Sequence, residues 1–123
     1  MNILIIGIGG AVGAIMRVGL TYLLPPTVLN IPFKILIVNV LGCFLAGICV
    51  VFLSVKLHNE RLNDFLISGF LGSFTTFSAF AIDIGRLYDK DLLLALGCYI
   101  VTSLAFSLFA FFMGIKLMRY CLS

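Results

Sequence analysis

The sequence predicts an all-α membrane protein in which four helices cross the bilayer, and three observations carry that reading. Of its 123 residues, 63% are hydrophobic and only 11% charged, with a mean hydropathy of +1.25, whereas a soluble domain is about 25% charged. The apolar residues, with 12 Phe and no Trp among the aromatics, are too many for one small core and are expected to face lipid. They gather into four segments, each long enough to cross about 30 Å of hydrocarbon at about 1.5 Å of rise per residue.

The first segment runs from about Asn2 to Leu24. It lacks the basic n-region and small-x-small cleavage site of a secretory signal, and its apolar run is too long for one, so it is expected to stay as a span. Pro25 and Pro26 are expected to stop it. The second runs from Phe33 to about Val55, behind a Pro32 suited to a helix start, before Lys56, His58, Asn59, Glu60 and Arg61 return the chain to water. The third runs from about Asp64 to Arg86 and the fourth from about Leu92 to Met118, followed by a short tail, Arg119 to Ser123. Short connections make neighbouring helices antiparallel. Residues 1–123 thus form a single four-helix transmembrane domain, with no linker or low-complexity tract.

The formal net charge of +3 comes from Lys and Arg at segment ends, and no basic stripe with interleaved aromatics points to nucleic acid. Cys43, Cys49, Cys98 and Cys121 fit neither CxxC pairs nor a zinc set and read as small soft hydrophobes. Orientation is the unusual feature. Lys56, Arg61, Lys116 and Arg119 lie on the side shared by the N-terminus, second loop and C-terminus, against Lys34, Arg86 and Lys90 on the other. Four against three barely biases insertion under the positive-inside rule. The chain is therefore expected to take both orientations, to follow an accessory factor, or to hold one topology by a weak bias.

Several residues could carry chemistry. Gly7, Gly9, Gly10 and Gly13 suggest a dinucleotide fingerprint, but Val12 stands where the pattern needs Gly or Ala, and no acidic residue follows at the required distance. Gly9 with Gly13, Gly10 with Ala14 and Gly42 with Ala46 are better read as small-xxx-small packing surfaces. Arg17 is the one charge well inside a span, where a guanidinium costs at least about 2.5 kcal/mol unless it meets water. It either reaches the headgroups or sits at a water-filled vestibule that attracts anions. In the third segment Gly69, Gly72, Ser73, Thr75, Thr76 and Ser78 interrupt the apolar run. They predict a helix broken near the midplane, whose unwound carbonyls could ligate a cation; the alternative is a continuous helix with hydroxyls bonded to their own i−4 carbonyls.

Phe77 and Phe80 fall on one face just beyond that interruption, either as core or as ring edges able to touch an anion. Tyr99, Ser103 and Ser107 stack three hydroxyls at i, i+4 and i+8 on one helix face. Asn39 adds an amide in the second segment. Singly, such residues are interhelical glue; together, beside Arg17 and with no carboxylate inside spans one, two or four, they suit a small anion.

The string Gly69-Phe-Leu-Gly72-Ser-Phe-Thr75-Thr-Phe77-Ser-Ala-Phe80 resembles the signature of the Fluc, or CrcB-type, fluoride channels. Gly10 to Arg17, Asn39-Val-Leu-Gly42, and Tyr99 with Ser103 resemble that family's patterns in the other three spans, so the likeness covers essentially the whole chain. The resemblance implies a fluoride-selective channel that passively exports cytoplasmic fluoride from a bacterium, working in the plasma (inner) membrane as an antiparallel, dual-topology homodimer with two pores. It also implies that Phe77 and Phe80 line the pores, that Asn39 reaches them, and that Tyr99, Ser103 and Ser107 supply the hydroxyl track. One Na+ would be held at the dimer centre by backbone carbonyls of Gly72 and Thr75. Ser73, where the family usually has a second glycine, and Ala79, where it usually has threonine, are departures. Neither removes a proposed carbonyl ligand.

Two rivals differ in class. A dual-topology multidrug or cation exporter needs a membrane-embedded carboxylate for proton exchange, for which Asp83 is the one loose candidate. A non-transporting assembly subunit would need only the glycine packing faces. No catalytic constellation suggests an enzyme.

Overall fold

The computed structural model describes residues 2–24, 27–28, 31–56 and 58–123. It is helical, with four helices long and apolar enough to cross a membrane: Ile3–Leu23, Phe33–Val55, Glu60–Asp89 and Leu93–Leu122. Pro25 and Pro26, expected to end the first span, lie outside the described residues. Asn2 starts that span as its cap, its side-chain oxygen accepting from the N–H groups of Leu4 and Ile5, which supplies partners for otherwise unpaired first-turn donors. Its own N–H donates to Asp64 Oδ2 at 2.8 Å, tying the start of the first span to the third. A two-residue antiparallel ladder, Thr27 opposite Pro32 and Val28 opposite Ile31, precedes the second span.

The last two spans exceed the limits expected from hydropathy. Asn59 caps a helix that begins at Glu60, accepting from the N–H groups of Arg61 and Leu62. Glu60 and Arg61, expected in a loop, lie in this capped first turn, with Glu60 favourably placed at its positive end. The fourth helix continues past Met118 to Leu122. Its 30 residues rise about 45 Å, so the turns bearing Lys116 and Arg119 extend beyond about 30 Å of hydrocarbon.

Within the third span, Glu60–Asn63 is α-helical and Asp64–Leu71 is π-helical, with the Gly72 N–H donating five residues back to the Ile67 carbonyl. Gly72–Phe74 closes one turn, and Phe77–Asp89 is again α-helical. Between them Thr75 (φ −82°, ψ 153°) and Thr76 (φ −148°, ψ 121°) are extended. The span ends in a tight turn: Asp91 takes φ 56°, a left-handed conformation that Asp tolerates better than most side chains. The Leu92 N–H then reaches back to the Leu87 carbonyl, as in a Schellman cap.

Glycine sets the two tightest crossings. A Cβ at Gly9 or Gly13 would overlap the backbone carbonyls of Phe65 or Phe70, and one at Gly69 would come 2.7 Å from the Ile6 carbonyl. The first and third spans thus meet backbone to backbone, as the pair Gly9 and Gly13 predicts. The second and fourth spans meet in the same way through Gly47 and Gly114, each set against the other helix's carbonyls at Phe111 and Phe44. The sequence signal for that crossing is Ala110 with Gly114, a small-xxx-small pair on the fourth span that the reading of the first and second spans leaves out.

Near the ends of the spans that carry Lys34 and Arg86, Leu36, Phe80, Leu87 and Tyr99 form a buried cluster, with Phe33, Val40, Ile84 and Leu96 packed around it. Elsewhere large apolar side chains face outward, Ile3, Ile15, Leu94, Phe106, Phe109 and Phe112 among them. That is the surface a lipid-embedded or partner-covered helix bundle requires.

Candidate functional site

The site is organised by the two extended residues of the third span. Asn39 grips Thr76 at both ends of its amide: Oδ1 accepts from the Thr76 N–H at 2.8 Å, and Nδ2 donates to the Thr76 carbonyl at 3.1 Å. Peptide groups that leave a helix at membrane depth need such partners, and the second span supplies them from one residue. Thr76 then caps the next helix, its Oγ1 accepting from the Ala79 N–H at 3.2 Å. Thr75 Oγ1 donates to the Leu71 carbonyl at 3.0 Å, the i−4 bond of the alternative reading, yet the backbone is extended at that residue. Gly42 makes room for this arrangement, since a Cβ there would collide with the Thr75 methyl and come 3.1 Å from the Phe74 ring.

Beside these residues lies a groove of about 260 Å³ lined by Asn39, Cys43, Thr75, Thr76, Phe77, Phe80, Ser103, Leu104, Ser107 and Leu108. It brings together five of the six side chains expected on an anion pathway. Asn39 and Cys43 stand one helical turn apart on the second span, and Ser103 and Ser107 one turn apart on the fourth. Phe77 and Phe80 form one wall, centroids 5.6 Å apart and planes inclined by 48°. They differ in setting: Phe80 is buried, whereas Phe77 is 78% exposed in the single chain. Ser103 is only 5% exposed, and its hydroxyl has no hydrogen-bond partner among the described residues. A buried hydroxyl without a partner costs about 1–3 kcal/mol, so a ligand that accepts a hydrogen bond from it gains what the fold does not supply.

Tyr99 stands apart. It is fully buried, packs on Phe80 with centroids 5.1 Å apart, and donates its hydroxyl to Asp83 Oδ2 at 3.1 Å. Its hydroxyl is therefore committed to a carboxylate instead of facing the groove with Ser103 and Ser107. Asp83 is also 3.8 Å from Arg86 Nη1, and a second groove, of about 590 Å³, runs from it past Arg86, Lys90 and Lys34. The sequence pointed to Asp83 only as a stray carboxylate; its spacing of three from both Phe80 and Arg86 is the signal that placed it on the face of each.

Arg17 is half-buried on the first span, on the face that carries Gly10, Gly13 and Ala14, and its Nε has no partner among the described residues. It lines neither groove. Gly72 opens the turn Gly72–Phe74, and Thr75 follows it with extended backbone. The Thr76 N–H goes to Asn39 and the Ala79 N–H to Thr76 Oγ1, so the donors that would lie four residues beyond Gly72 and Thr75 in a continuous helix are both used elsewhere. Cys43, which reads from the sequence as a soft hydrophobe, stands one turn after Asn39, and that spacing is the signal that the two share a face.

Residues 4–115 match the family described as CrcB-like protein, Camphor Resistance (CrcB). Among similar proteins, the fluoride-specific ion channel FluC of Rhizobium etli is 37% identical over 122 residues, covering 94% of each chain. FluC of Rhizobium meliloti is 40% identical over 121 residues and 96% of each chain. FluC of Francisella tularensis is 39% identical over 118 residues, covering 91% of this chain and 90% of its own.

Proposed function

We infer, from the premise that this chain belongs to the CrcB-like family, that it is a fluoride-selective ion channel that lets cytoplasmic fluoride leave the cell passively. The observation that carries this reading is the groove in which an amide, two serine hydroxyls and two phenyl rings meet with no carboxylate among its lining residues. Fluoride is small and strongly hydrated, so a pore must replace its water with donors that hold it weakly enough for it to move on. The free hydroxyl of Ser103, the Ser107 hydroxyl, the second N–H of Asn39 and the electropositive edges of Phe77 and Phe80 are such donors. Tyr99 acts from behind, supporting Phe80. A cell interior that is electrically negative drives the anion outward, and no chemical step or energy source is required.

The working unit is an antiparallel homodimer of two oppositely inserted copies, with two pores, in the inner membrane of a bacterium. A phenyl ring as exposed as Phe77 on one wall of the pathway supports it, since one chain leaves the groove open and a second would close it. The balanced charges of the two faces agree. The two extended residues form a break near the midplane, and the carbonyls of Gly72 and Thr75, whose helical donors are diverted, suit one structural Na+ shared with the partner. Proton-coupled cation export would need a carboxylate free in the pathway. Asp83 lies outside the groove and is engaged by Tyr99 and Arg86.

The test is efflux from liposomes containing the purified protein, with fluoride and chloride followed separately. Rapid fluoride loss without matching chloride loss is expected. An absence of fluoride flux, or chloride flux of equal size, overturns the reading.

A further inference from the structure

The geometry points to Cys43 as a modification site inside the ion pathway, where a small neutral thiol-reactive electrophile attaches and closes the channel. The inference rests on the channel reading above and adds a ligand class to the same groove. Cys43 is half-buried on the second span and lines the groove with Asn39, Ser103 and Ser107. Its i+4 relation to Asn39 puts both side chains on one helix face, opposite the two serines. A thiol alone would say little, but here it shares its groove with Ser103, which is 5% exposed and has a hydroxyl without a partner among the described residues. Two features, a half-buried thiol and an unmet donor, therefore line one space.

The groove's composition selects the reagent. Apolar walls from Phe77, Phe80, Leu104 and Leu108 give a small reagent's methyl group a surface to pack on. With a methyl thiosulfonate, the Cys43 thiol loses its proton to solvent and its sulfur attacks the reagent's sulfenyl sulfur. A new S–S bond forms, the bond to the sulfonyl sulfur breaks, and methanesulfinate leaves with the electron pair. The product is a methyl mixed disulfide, whose methylthio group fills space between the second and fourth spans. A dithiol reductant reverses it by exchange.

Cys49 is half-buried outside the lining set, and Cys98 and Cys121 are exposed, so the four thiols are separable by substitution. Liposomes containing the full chain would be treated with methyl methanethiosulfonate, their fluoride efflux measured before and after, and the modified cysteines located by peptide mass. The variant Cys49→Ala, Cys98→Ser, Cys121→Ser is expected to conduct like the parent, to gain one methylthio group at Cys43, and to lose at least tenfold in flux, with recovery on adding dithiothreitol. Cys43→Ser, compared with its own untreated flux, is expected to lose nothing. Flux that persists after Cys43 is shown to be modified, or a Cys43 that stays unmodified while flux continues, overturns the inference and leaves the channel reading standing. An untreated protein that carries no fluoride overturns both.

Discussion

Ser103 and Asn39 show how differently two polar side chains in one groove can be committed. The Asn39 amide makes two hydrogen bonds to Thr76, each worth about 0.5–1.5 kcal/mol net and more where water cannot replace it. Asn39→Ala is therefore expected to lower resistance to thermal unfolding in detergent and to abolish fluoride flux together. Ser103 gives its hydroxyl to nothing among the described residues, so Ser103→Ala removes no bond from the fold. It should leave the melting temperature unchanged or slightly raised while cutting flux by about tenfold to a hundredfold, the equivalent of one hydrogen bond of about 1.5–3 kcal/mol to a charged ligand. Parallel melting and efflux measurements on the two variants check this; equal flux losses with equal destabilisation would make Ser103 a structural residue. The spacing of Tyr99, Ser103 and Ser107 made the hydroxyl stripe legible in the sequence. The direction of the Tyr99 hydroxyl was not, because it depends on a carboxylate from another helix.

At the scale of elements, the glycines divide into those that face backbone and those that face open space. Gly13 and Gly47 meet the carbonyls of Phe70 and Phe111, and neither partner is a flexible side chain that could swing away. Gly13→Leu and Gly47→Leu are expected to yield little monodisperse protein by size-exclusion chromatography. Gly7→Ala and Gly19→Ala, where a Cβ meets nothing within 4 Å, should purify like the parent. Loss of all four to the same degree would remove packing as the explanation. The third span carries the corresponding lesson for backbone. Its glycine and hydroxyl content predicts an interruption, whereas the π-helical stretch from Asp64 to Leu71 has no local signature in the sequence. The last two spans run past their hydropathic limits for a related reason: hydropathy marks where lipid ends, whereas helices continue until a cap or the chain stops them.

For the whole molecule, the central prediction concerns orientation. If seven cations divide four to three between the two faces, a tag at the C-terminus should be accessible in about half the copies from either side of the membrane, a split the positive-inside rule makes sensitive to one or two charges. Added lysines at Asn59 and Asn63 should drive nearly all copies one way, and added lysines at Asp89 and Asp91 the other. Under the dimer reading each biased variant alone conducts poorly, and co-expression of the two restores flux. A tag confined to one side in the parent protein, or full flux from either biased variant alone, would defeat dual topology.

The sequence alone determined that this chain belongs in lipid and has four helices to cross the membrane, and it named the polar and aromatic side chains that are candidates for an anion pathway. Hydrophobic length and i+4 spacing are properties of a chain that needs no neighbours to express them. It could not decide which of those side chains would still be free once the fold had taken what it needed. Tyr99 is engaged by Asp83, Asn39 by Thr76, and Ser103 is left over, while Cys43 joins the groove because Asn39 is there. A buried donor or acceptor is satisfied by whichever group the tertiary structure brings within about 3 Å, and that pairing is written in no single helix.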